Sequence, residues 1–470
     1  MTAAQQEQAG WADVLAEGRA PRFVLICLGV WLAAADSLVT ATIMPAVGAS
    51  LGGYAWFGWA TAGFLLGSVA AGASSRRLAE MFGLRAGVAV TAALYAAGCA
   101  LSAAAPDMAT FLAGRVLQGL GGGWVAGFSS VAVGLLFPDR TLAKVYAAVT
   151  AVWGIASLIG PLFGGIFADA GIWRWAFWAF AIQGLAVGLA ALWMLPKSDG
   201  RGGGAGVPWW QLAVIAGAVA AVGFADAAGH PAGALGLIGL GMALLVLLVR
   251  WDARSRVRLL PLASGDLRSP AGAGYATMFL MTVASMGFAI YGPAILQTLH
   301  GLSATAAGYV VSAESLAWTV AGLAVTQLSG RWPNRLIVAG VVAAAAGVAL
   351  SAPAFVLGGI WTVVGAGAVL GGGFGLCWSF MSQKIMVSLP AEERAIGAAA
   401  MTTVRLTGAA AGAALAGVAA NLVGFDEGLS IASAKAAGLW VALALLPLGL
   451  VAVWPARRLA AASPDGPPPL

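Results

Sequence analysis

Four ionisable residues lie inside long apolar stretches of the chain, where their side chains could carry protons or hold opposite charges. They are Asp36, Arg115, Glu314 and Arg405. A charged side chain at the centre of a bilayer costs about 2.5–3.5 kcal/mol on insertion scales, so each residue is expected to have a functional or a pairing reason. Burial and a nearby arginine act on a carboxylate in opposite directions, so a motion that changes either can bind or release a proton. We therefore predict that Asp36 and Glu314 exchange protons during a conformational cycle.

Asp36 and Arg115 are predicted to lie at similar depths, because they stand about nine and about seven residues from the same side of their stretches. An ion pair between them is therefore possible. Asp36 could instead form a permanent salt bridge that only stabilises the helices, and Arg115 could bond helix carbonyls. Glu314 stands about ten residues into its stretch, near the midplane. For Arg405 we favour a structural role, because small residues that favour close helix packing follow it as far as Gly412.

The elements that hold these residues must lie in lipid. The chain has 470 residues, of which 61% are hydrophobic and 9% are charged, whereas soluble domains carry about 25% charged residues. A shortage of this size excludes a soluble globular protein. The three cysteines lie in apolar runs without metal-site spacing, and no Gly-x-x-x-x-Gly-Lys-Ser/Thr loop for ATP is present. We predict no metal site and no cofactor.

The sequence predicts an all-α integral membrane protein with fourteen transmembrane spans, because fourteen stretches approach the roughly 20 apolar residues that cross a bilayer. The predicted spans are Phe23–Met44, Trp56–Ser75, Ala86–Ala105, Met108–Phe137, Val145–Phe167, Trp175–Leu195, Trp209–Ala225, Ala232–Val249, Ala271–Leu296, Ala304–Leu328, Leu336–Leu350, Phe355–Phe380, Ala395–Leu422 and Ala437–Trp454.

The spans divide into two six-helix halves, residues 23–195 and 271–455, joined by a linker (196–270) that contains two extra spans. About twenty of the 24 Lys and Arg residues fall on one side of this arrangement, which the positive-inside rule assigns to the cytoplasm. The N-terminal segment (1–22) and the tail (456–470) are therefore predicted to be cytoplasmic. Because topology accounts for the net charge of +6, we expect no nucleic-acid partner.

A plan of two repeated halves indicates a transporter whose site lies between the halves and opens to each side of the membrane in turn. Aromatic faces attract cations, and methionine adapts to varied shapes. We therefore predict that five residues line the substrate cavity, although packing against protein or lipid is the alternative for each. These residues are Trp31, Trp153, Met281, Trp318 and Trp378.

Five segments of the chain follow one another in the order seen in a known family. The segments are Asp36–Pro45; Arg115, Gln118, Gly119 and Gly121; Gly154, Gly160, Pro161, Gly164 and Gly165; Trp173–Phe177; and Leu296–Gly308. Together they resemble the major facilitator superfamily, specifically its fourteen-span drug:proton antiporter branch.

The resemblance implies a role for each segment. Arg115 would orient a carboxylate, and the glycine–proline segment of the fifth span would seal the cavity against the facing half. The stretch after the second span would form a cytoplasmic gating loop, in which Arg76 replaces the usual glycine and Glu80 replaces the usual aspartate. The residues of this predicted loop are Arg76, Arg77, Glu80, Gly83 and Arg85.

These observations predict a monomeric transporter in the cell inner (plasma) membrane that exports small amphiphilic organic compounds in exchange for protons. A dedicated exporter of a lipid, a siderophore or a biosynthetic product is an alternative, and so is a facilitator or importer of the same fold. An enzyme is not expected. Gly127-Phe128-Ser129 is similar to the serine segment of a rhomboid protease, but the two histidines lie in predicted outer loops and could not activate the serine.

Overall fold

The computed structural model describes residues 11–16, 18–196, 206–225, 230–325 and 327–462. These residues form α-helices and contain no β-strand. The helices are α1 (Trp11–Leu15), α2 (Ala20–Leu51), α3 (Phe57–Ala104), α4 (Met108–Leu136), α5 (Asp139–Asp169), α6 (Arg174–Met194), α7 (Trp209–Gly223), α8 (Pro231–Asp252), α9 (Pro270–His300), α10 (Ala304–Val325), α11 (Trp332–Leu357), α12 (Ile360–Val387), α13 (Arg394–Asn421) and α14 (Ile431–Ala461).

Twelve helical segments in the described part of the chain are long and apolar enough to cross a membrane. Two of them, Tyr54–Ser75 and Arg77–Ala104, together cover α3 and the turn before it. Neither α4 nor the 15-residue α7 is among the twelve. The predicted all-α membrane architecture is therefore confirmed, with twelve rather than fourteen segments identified by length and composition.

The predicted gating loop after the second span is wrong in its length. Helix α3 consists of two helical arms that meet in a kink at Gly83, where φ is 72° and ψ is 161°. Both arms pack against the same part of α4, because Gly119 meets Phe64 of the first arm and Gly121 meets Tyr95 of the second. Glycine adopts this left-handed region without steric cost. The predicted connection between the second and third spans is therefore present, but it is a kink at one residue and the charged residues lie on the helical arms beside it.

The predicted boundary between the eleventh and twelfth spans is also wrong. The predicted spans Leu336–Leu350 and Phe355–Phe380 place a connection around Pro353, but α11 continues through this proline to Leu357. A proline removes one backbone hydrogen bond, which bends a helix more often than it ends a long membrane helix. The chain turns instead at Gly358 and Gly359, just before α12 begins.

The helices pack in two groups. Helices α2 to α6 contact one another, and so do α9 to α12 together with α14. Helix α13 packs against both α9 and α3 and therefore joins the groups. Helices α7 and α8 pack against each other, and α7 also contacts α13 and α3. The inserted pair is thus attached at the boundary between the groups.

Candidate transport site

The carboxylate of Asp36 is the centre of a buried polar cluster between α2 and α4. Arg115 donates from Nη1 to both oxygens of Asp36, at 3.0 Å and 2.9 Å, and Gln118 Nε2 donates to Oδ1 at 2.5 Å. The exposed fractions are 0% for Asp36, 1% for Arg115 and 0% for Gln118. The predicted pair is therefore present, and the side chain of Gln118 completes it.

Helix α3 supplies a hydrogen bond and a ring contact to Arg115. Its Nε donates to the carbonyl oxygen of Ala60 at 3.1 Å, and its guanidinium carbon lies 4.6 Å from the centre of the Phe64 ring. A ring face attracts a cation most strongly where water is excluded. Arg115 consequently links its own helix to α2 and α3. It pairs with Asp36 and also bonds a helix carbonyl, so both contacts that the sequence suggested for it are present.

The glycines of the fourth-span motif bring α3 and α4 into backbone contact around this cluster. A side chain on Gly119 would overlap the carbonyl group of Phe64. One on Gly121 would overlap the backbone of Tyr95, whose hydroxyl donates to the carbonyl oxygen of Leu32 at 3.4 Å. The motif thus supplies two polar side chains for Asp36 and two glycines that let the neighbouring helix approach them.

Glu314 lies in a different setting on α10. Its side chain is half-buried, and the described residues offer it no hydrogen-bond or ion-pair partner. Its backbone is pressed against α12, because a side chain on Gly371 would overlap the Glu314 carbonyl group. The structure does not bring Glu314 and Asp36 into contact. The two predicted proton-carrying residues therefore occupy separate sites, one paired and one unpaired.

One helical turn beyond Glu314, aromatic rings of α10 and α12 form a cluster. Trp318 stacks on Phe374 with ring centres 4.8 Å apart and lies 5.4 Å from Trp378. Residues four apart on a helix share a face. Glu314 and Trp318 are therefore neighbours on one face, so two of the predicted cavity residues are grouped beside an unpaired carboxylate.

The other three predicted cavity residues are placed differently. Trp31 donates from Nε1 to Gln183 Oε1 at 3.1 Å and so belongs to the contact between α2 and α6. Met281 is 2% exposed and lies in the hydrophobic core. Trp153 is 42% exposed on α5.

Arg405 is the fourth intramembrane charge and the second without a partner. It lies half-buried near the middle of α13, and it forms no hydrogen bond or ion pair with any residue that the structure describes. The small residues that follow it do pack closely, since a side chain on Gly408 would come 3.0 Å from the carbonyl oxygen of Phe279 on α9. The favoured structural role therefore fits the run that follows Arg405 better than the arginine itself.

The glycine–proline segment of α5 was expected to contact the facing half, but it divides between two neighbours. Gly160 and Gly164 face α2, where added side chains would approach Leu38 and the backbone of Val39. On the adjacent face of α5, Pro161 packs against Gly308, and a side chain on Gly165 would overlap Thr305 of α10. No atom lies within 4 Å of a side chain built on Gly154.

The hydrogen bonds that join the two groups occur at the end opposite the chain termini. Asp169, the last residue of α5, accepts from the backbone N–H of Ala304 at 2.6 Å and from Thr305 Oγ1 at 2.7 Å. Asn421 Nδ2 donates to the carbonyl oxygen of Ala55 at 2.8 Å. Gln297 Nε2 of α9 also donates to the carbonyl oxygen of Thr42 on α2, at 3.4 Å. The groups are therefore fastened at this end through α5 and α10, through α2 and α9, and through α13 and the turn that precedes α3.

The residues of the predicted gating segment lie near the opposite end, on α3. The side chains of Arg77, Glu80 and Arg85 are half-buried there. The side chain of Arg76 lies outside the described residues.

Comparison with known proteins decides the family. The model of the Major Facilitator Superfamily matches residues 26–413. The chain belongs to the major facilitator superfamily.

The relatives within the major facilitator superfamily include efflux proteins. A probable multidrug-efflux transporter of Mycobacterium tuberculosis is 32% identical over 97% of this chain and 98% of its own length. The multidrug transporter protein MdtP of Bacillus subtilis is 24% identical over 86% of this chain and 76% of its own. This chain is accordingly a multi-pass membrane transporter and not an enzyme.

Solved structures of the superfamily share the fold. A bacterial homologue of the human lysosomal transporter Spinster, in an inward-facing and unoccupied conformation, matches with a TM-score of 0.65 at 14% identity, over 95% of this chain and 97% of that one. A D-xylose–proton symporter matches with a TM-score of 0.61 at 18% identity, over 91% of this chain and 97% of that one.

Sequence reasoning missed the residues that join the two groups in this superfamily member. Asp169 and Asn421 stand at the ends of their helices, where a polar side chain is usually solvated. The available signal was the position of Asp169 at one helix end and of Thr305 at the start of another, since carboxylates favour helix N-termini. That signal does not reveal which two helices meet.

Proposed function

We propose that this protein exports small amphiphilic organic compounds from a bacterial cell in exchange for protons, and that it does so by alternating access in the plasma membrane. No cofactor is required, because the proton gradient supplies the energy. The proposal draws on the efflux relatives and on the family's two-group architecture. A monomer is sufficient, since each proposed functional residue belongs to one chain.

The unpaired carboxylate of Glu314 is the observation that carries this proposal. A charge inside a span is costly unless it has a partner, and the described residues provide none. Glu314 is therefore expected to hold a proton while enclosed and to release it when a motion exposes it to water. The adjacent rings of Trp318 and Trp378 offer a surface for an apolar or cationic cargo.

Asp36 is proposed as a second proton-exchanging residue with a different partner. In this structure its charge is balanced by Arg115, so it needs no proton. It would take one up only if a motion parted α2 from α4 and removed the arginine. The Asp36–Arg115 pair therefore fits a role that depends on helix movement, whereas Glu314 fits a role that depends on water or cargo.

The placement of contacts supports alternating access. Asp169 and Asn421 fasten the groups at the end away from the termini, and the absence of a side chain at Gly58 and Gly165 permits close approach there. This arrangement is that of a transporter closed at one end. We propose that the closed end faces the outside, with Arg76, Arg77, Glu80, Gly83 and Arg85 bordering the cytoplasmic opening.

We further propose fourteen spans with both termini in the cytoplasm. Helix α4 has 29 residues and is about 43 Å long, which exceeds the bilayer core. Helix α7 has 15 residues and is about 22 Å long, so it needs its flanking tryptophans at the interfaces to span. Adding these two to the twelve gives an even count, which leaves the termini on one side.

The proposal can be tested with the full-length protein in liposomes that carry an imposed pH gradient and a fluorescent amphiphilic cation such as ethidium. We expect gradient-driven uptake into vesicles that present the cytoplasmic face outward. The Glu314→Gln protein should lose gradient-driven uptake by at least about tenfold, while cargo exchange without a gradient persists. The control is Glu392→Gln, which alters an exposed carboxylate in the turn before α13.

Two outcomes would contradict the proposal. Equal flux with and without the gradient would indicate a facilitator. Normal coupling in Glu314→Gln would remove this carboxylate from the mechanism. Replacing ethidium with a neutral lipid or a metabolite in the same assay would separate a multidrug exporter from a dedicated one.

A further inference from the structure

A pocket of about 300 Å³ lies where α3, α7 and α13 meet, at the end that carries the Asn421–Ala55 hydrogen bond. Its walls include Trp56, Trp59, Phe224 and Asp426. This volume is at the lower limit of sites that bind drug-sized molecules. We call it the α7 pocket, because Phe224 follows directly on that inserted helix. None of its lining residues belongs to α10 or α12.

Three aromatic rings of the α7 pocket form a cluster, in which they meet at tilted or edge-to-face angles. The ring centres of Trp59 and Phe224 are 5.0 Å apart, those of Trp56 and Phe224 are 5.5 Å apart, and those of Trp56 and Trp59 are 6.4 Å apart. Tryptophans that only anchor a span at the interface need no such grouping. Trp59 is also held in place, since its Nε1 donates to the carbonyl oxygen of Gly223 at 3.2 Å.

The charges around the α7 pocket are suited to a cation. Asp426 is exposed and has neither a hydrogen bond nor an ion pair with another described residue. The C-terminal ends of both α7 and α13 meet here, and each adds a partial negative charge that outweighs the positive end of α3. The lining residues include no lysine or arginine.

We propose that the α7 pocket binds lipophilic organic cations, such as quaternary ammonium or phosphonium compounds, at a site separate from Glu314. Rings that surround a cation attract it through their faces, and a nearby carboxylate adds to that attraction. The site does not depend on proton coupling. It gives the inserted helix α7 a function, because a ligand there contacts the end of this helix together with α3 and the end of α13.

A bound cation should also hold the groups together at this end. Asn421 joins α13 to the turn that precedes α3, beside the pocket. A side chain on Gly58 would meet the carbonyl oxygen of Ala413 at 2.7 Å, so α3 and α13 are already close. A ligand that fills the adjoining space stabilises this contact by mass action. The α7 pocket is therefore a place where an external cation can slow the transport cycle.

Binding of tetraphenylphosphonium to the purified full-length protein, followed by tryptophan fluorescence and by thermal unfolding, tests the proposal. The experiment uses the Glu314→Gln protein, so that binding at Glu314 does not contribute. We expect Asp426→Asn to weaken binding about fivefold and Trp56→Ala to weaken it at least as much. The matched control Glu427→Gln changes the neighbouring exposed carboxylate, which does not line the pocket, and should leave affinity unchanged.

A neutral probe of related structure, triphenylphosphine oxide, should bind equally to the Glu314→Gln protein and to its Asp426→Asn derivative. If Asp426→Asn and Trp56→Ala both keep the affinity for tetraphenylphosphonium, the rings are interfacial anchors and the proposal is overturned. Equal loss in Asp426→Asn and Glu427→Gln would also overturn it, because general surface charge would then explain the binding.

Discussion

Asp36 and Glu314 are two carboxylates in two groups of helices, and they differ in their burial and in their hydrogen-bond partners. Asp36 has no exposed surface and accepts hydrogen bonds from Arg115 and Gln118. Glu314 is half-buried, and the part of the chain that the structure describes gives it no partner. In both places a glycine lets a neighbouring helix approach closely, Gly119 beside the first site and Gly371 beside the second.

The difference shows that close packing of helices around a carboxylate does not by itself provide that carboxylate with hydrogen-bond donors. Around Asp36 the close approach of α3 and α4 delivers donors to the charge, so the cluster contributes to the rigidity of its group. Around Glu314 the equally close approach of α10 and α12 delivers only backbone and aromatic surface. The first site is therefore suited to holding a structure, and the second is suited to receiving something from outside the protein.

The largest effect is expected from breaking the Asp36 cluster. Asp36→Asn removes the negative charge and leaves Arg115 buried with an uncompensated positive charge. Removing one partner of a buried pair costs about 3–5 kcal/mol. We expect a large fall in the unfolding temperature of the detergent-solubilised protein. A fall no greater than that caused by an exposed substitution such as Glu392→Gln would contradict the structural role of this pair.

A smaller loss is expected where the backbones of α10 and α12 meet. In Gly371→Ala the new methyl group would overlap the Glu314 carbonyl group, so the helices must part at a cost of about 1–3 kcal/mol. Gly372→Ala is the matched control, because no atom lies within 4 Å of its added carbon. Thermal unfolding of the two proteins should therefore differ clearly, and equal stability would indicate that the helices are less tightly packed than described.

Removing the link between the groups should cost less again. Asp169→Ala deletes the carboxylate that accepts from Ala304 and Thr305, and the loss of a helix cap costs about 1 kcal/mol. Asp107→Ala is the control, because Asp107 caps its own group by accepting from the N–H of Thr110 at 2.8 Å. Amide exchange at the start of α10 should become faster only in Asp169→Ala. Equal exchange in both variants would contradict a link between the groups.

The smallest effect on stability is expected at Glu314. Glu314→Gln replaces a carboxyl group that has no partner to lose among the described residues, so the free energy of unfolding should fall by no more than about 0.5 kcal/mol. Thermal unfolding measured beside Asp36→Asn checks the contrast directly. A loss comparable to that of Asp36→Asn would reveal a partner for Glu314 and would erase the difference between the two sites.

Much of this arrangement could be predicted from sequence, because a bilayer requires long apolar segments and makes charges within them costly. Apolar runs identify most of the helices, and equal depths in two spans led to the Asp36–Arg115 pair. Gln118 was singled out only by resemblance, since an amide on a helix gives no signal of what it bonds. The kink at Gly83 within α3 and the continuity of α11 through Pro353 depended on local geometry that glycine and proline allow but do not require.

The contacts between groups could not be predicted for a different reason. Asp169 is an exposed carboxylate at a helix end, and its partners lie 135 and 136 residues away along the chain. The α7 pocket likewise draws on three distant segments. The neighbouring sequence gives no sign of these contacts, because they depend on how whole helices pack against one another.

The bend at Gly83 has a mechanical consequence. The first arm of α3 touches α13 near Gly58, and the second arm packs against α6 near Tyr95 and Gly184. Because a single non-helical residue joins the two arms, their ends at Gly83 cannot separate. A displacement of one arm at that end must therefore be shared by the other.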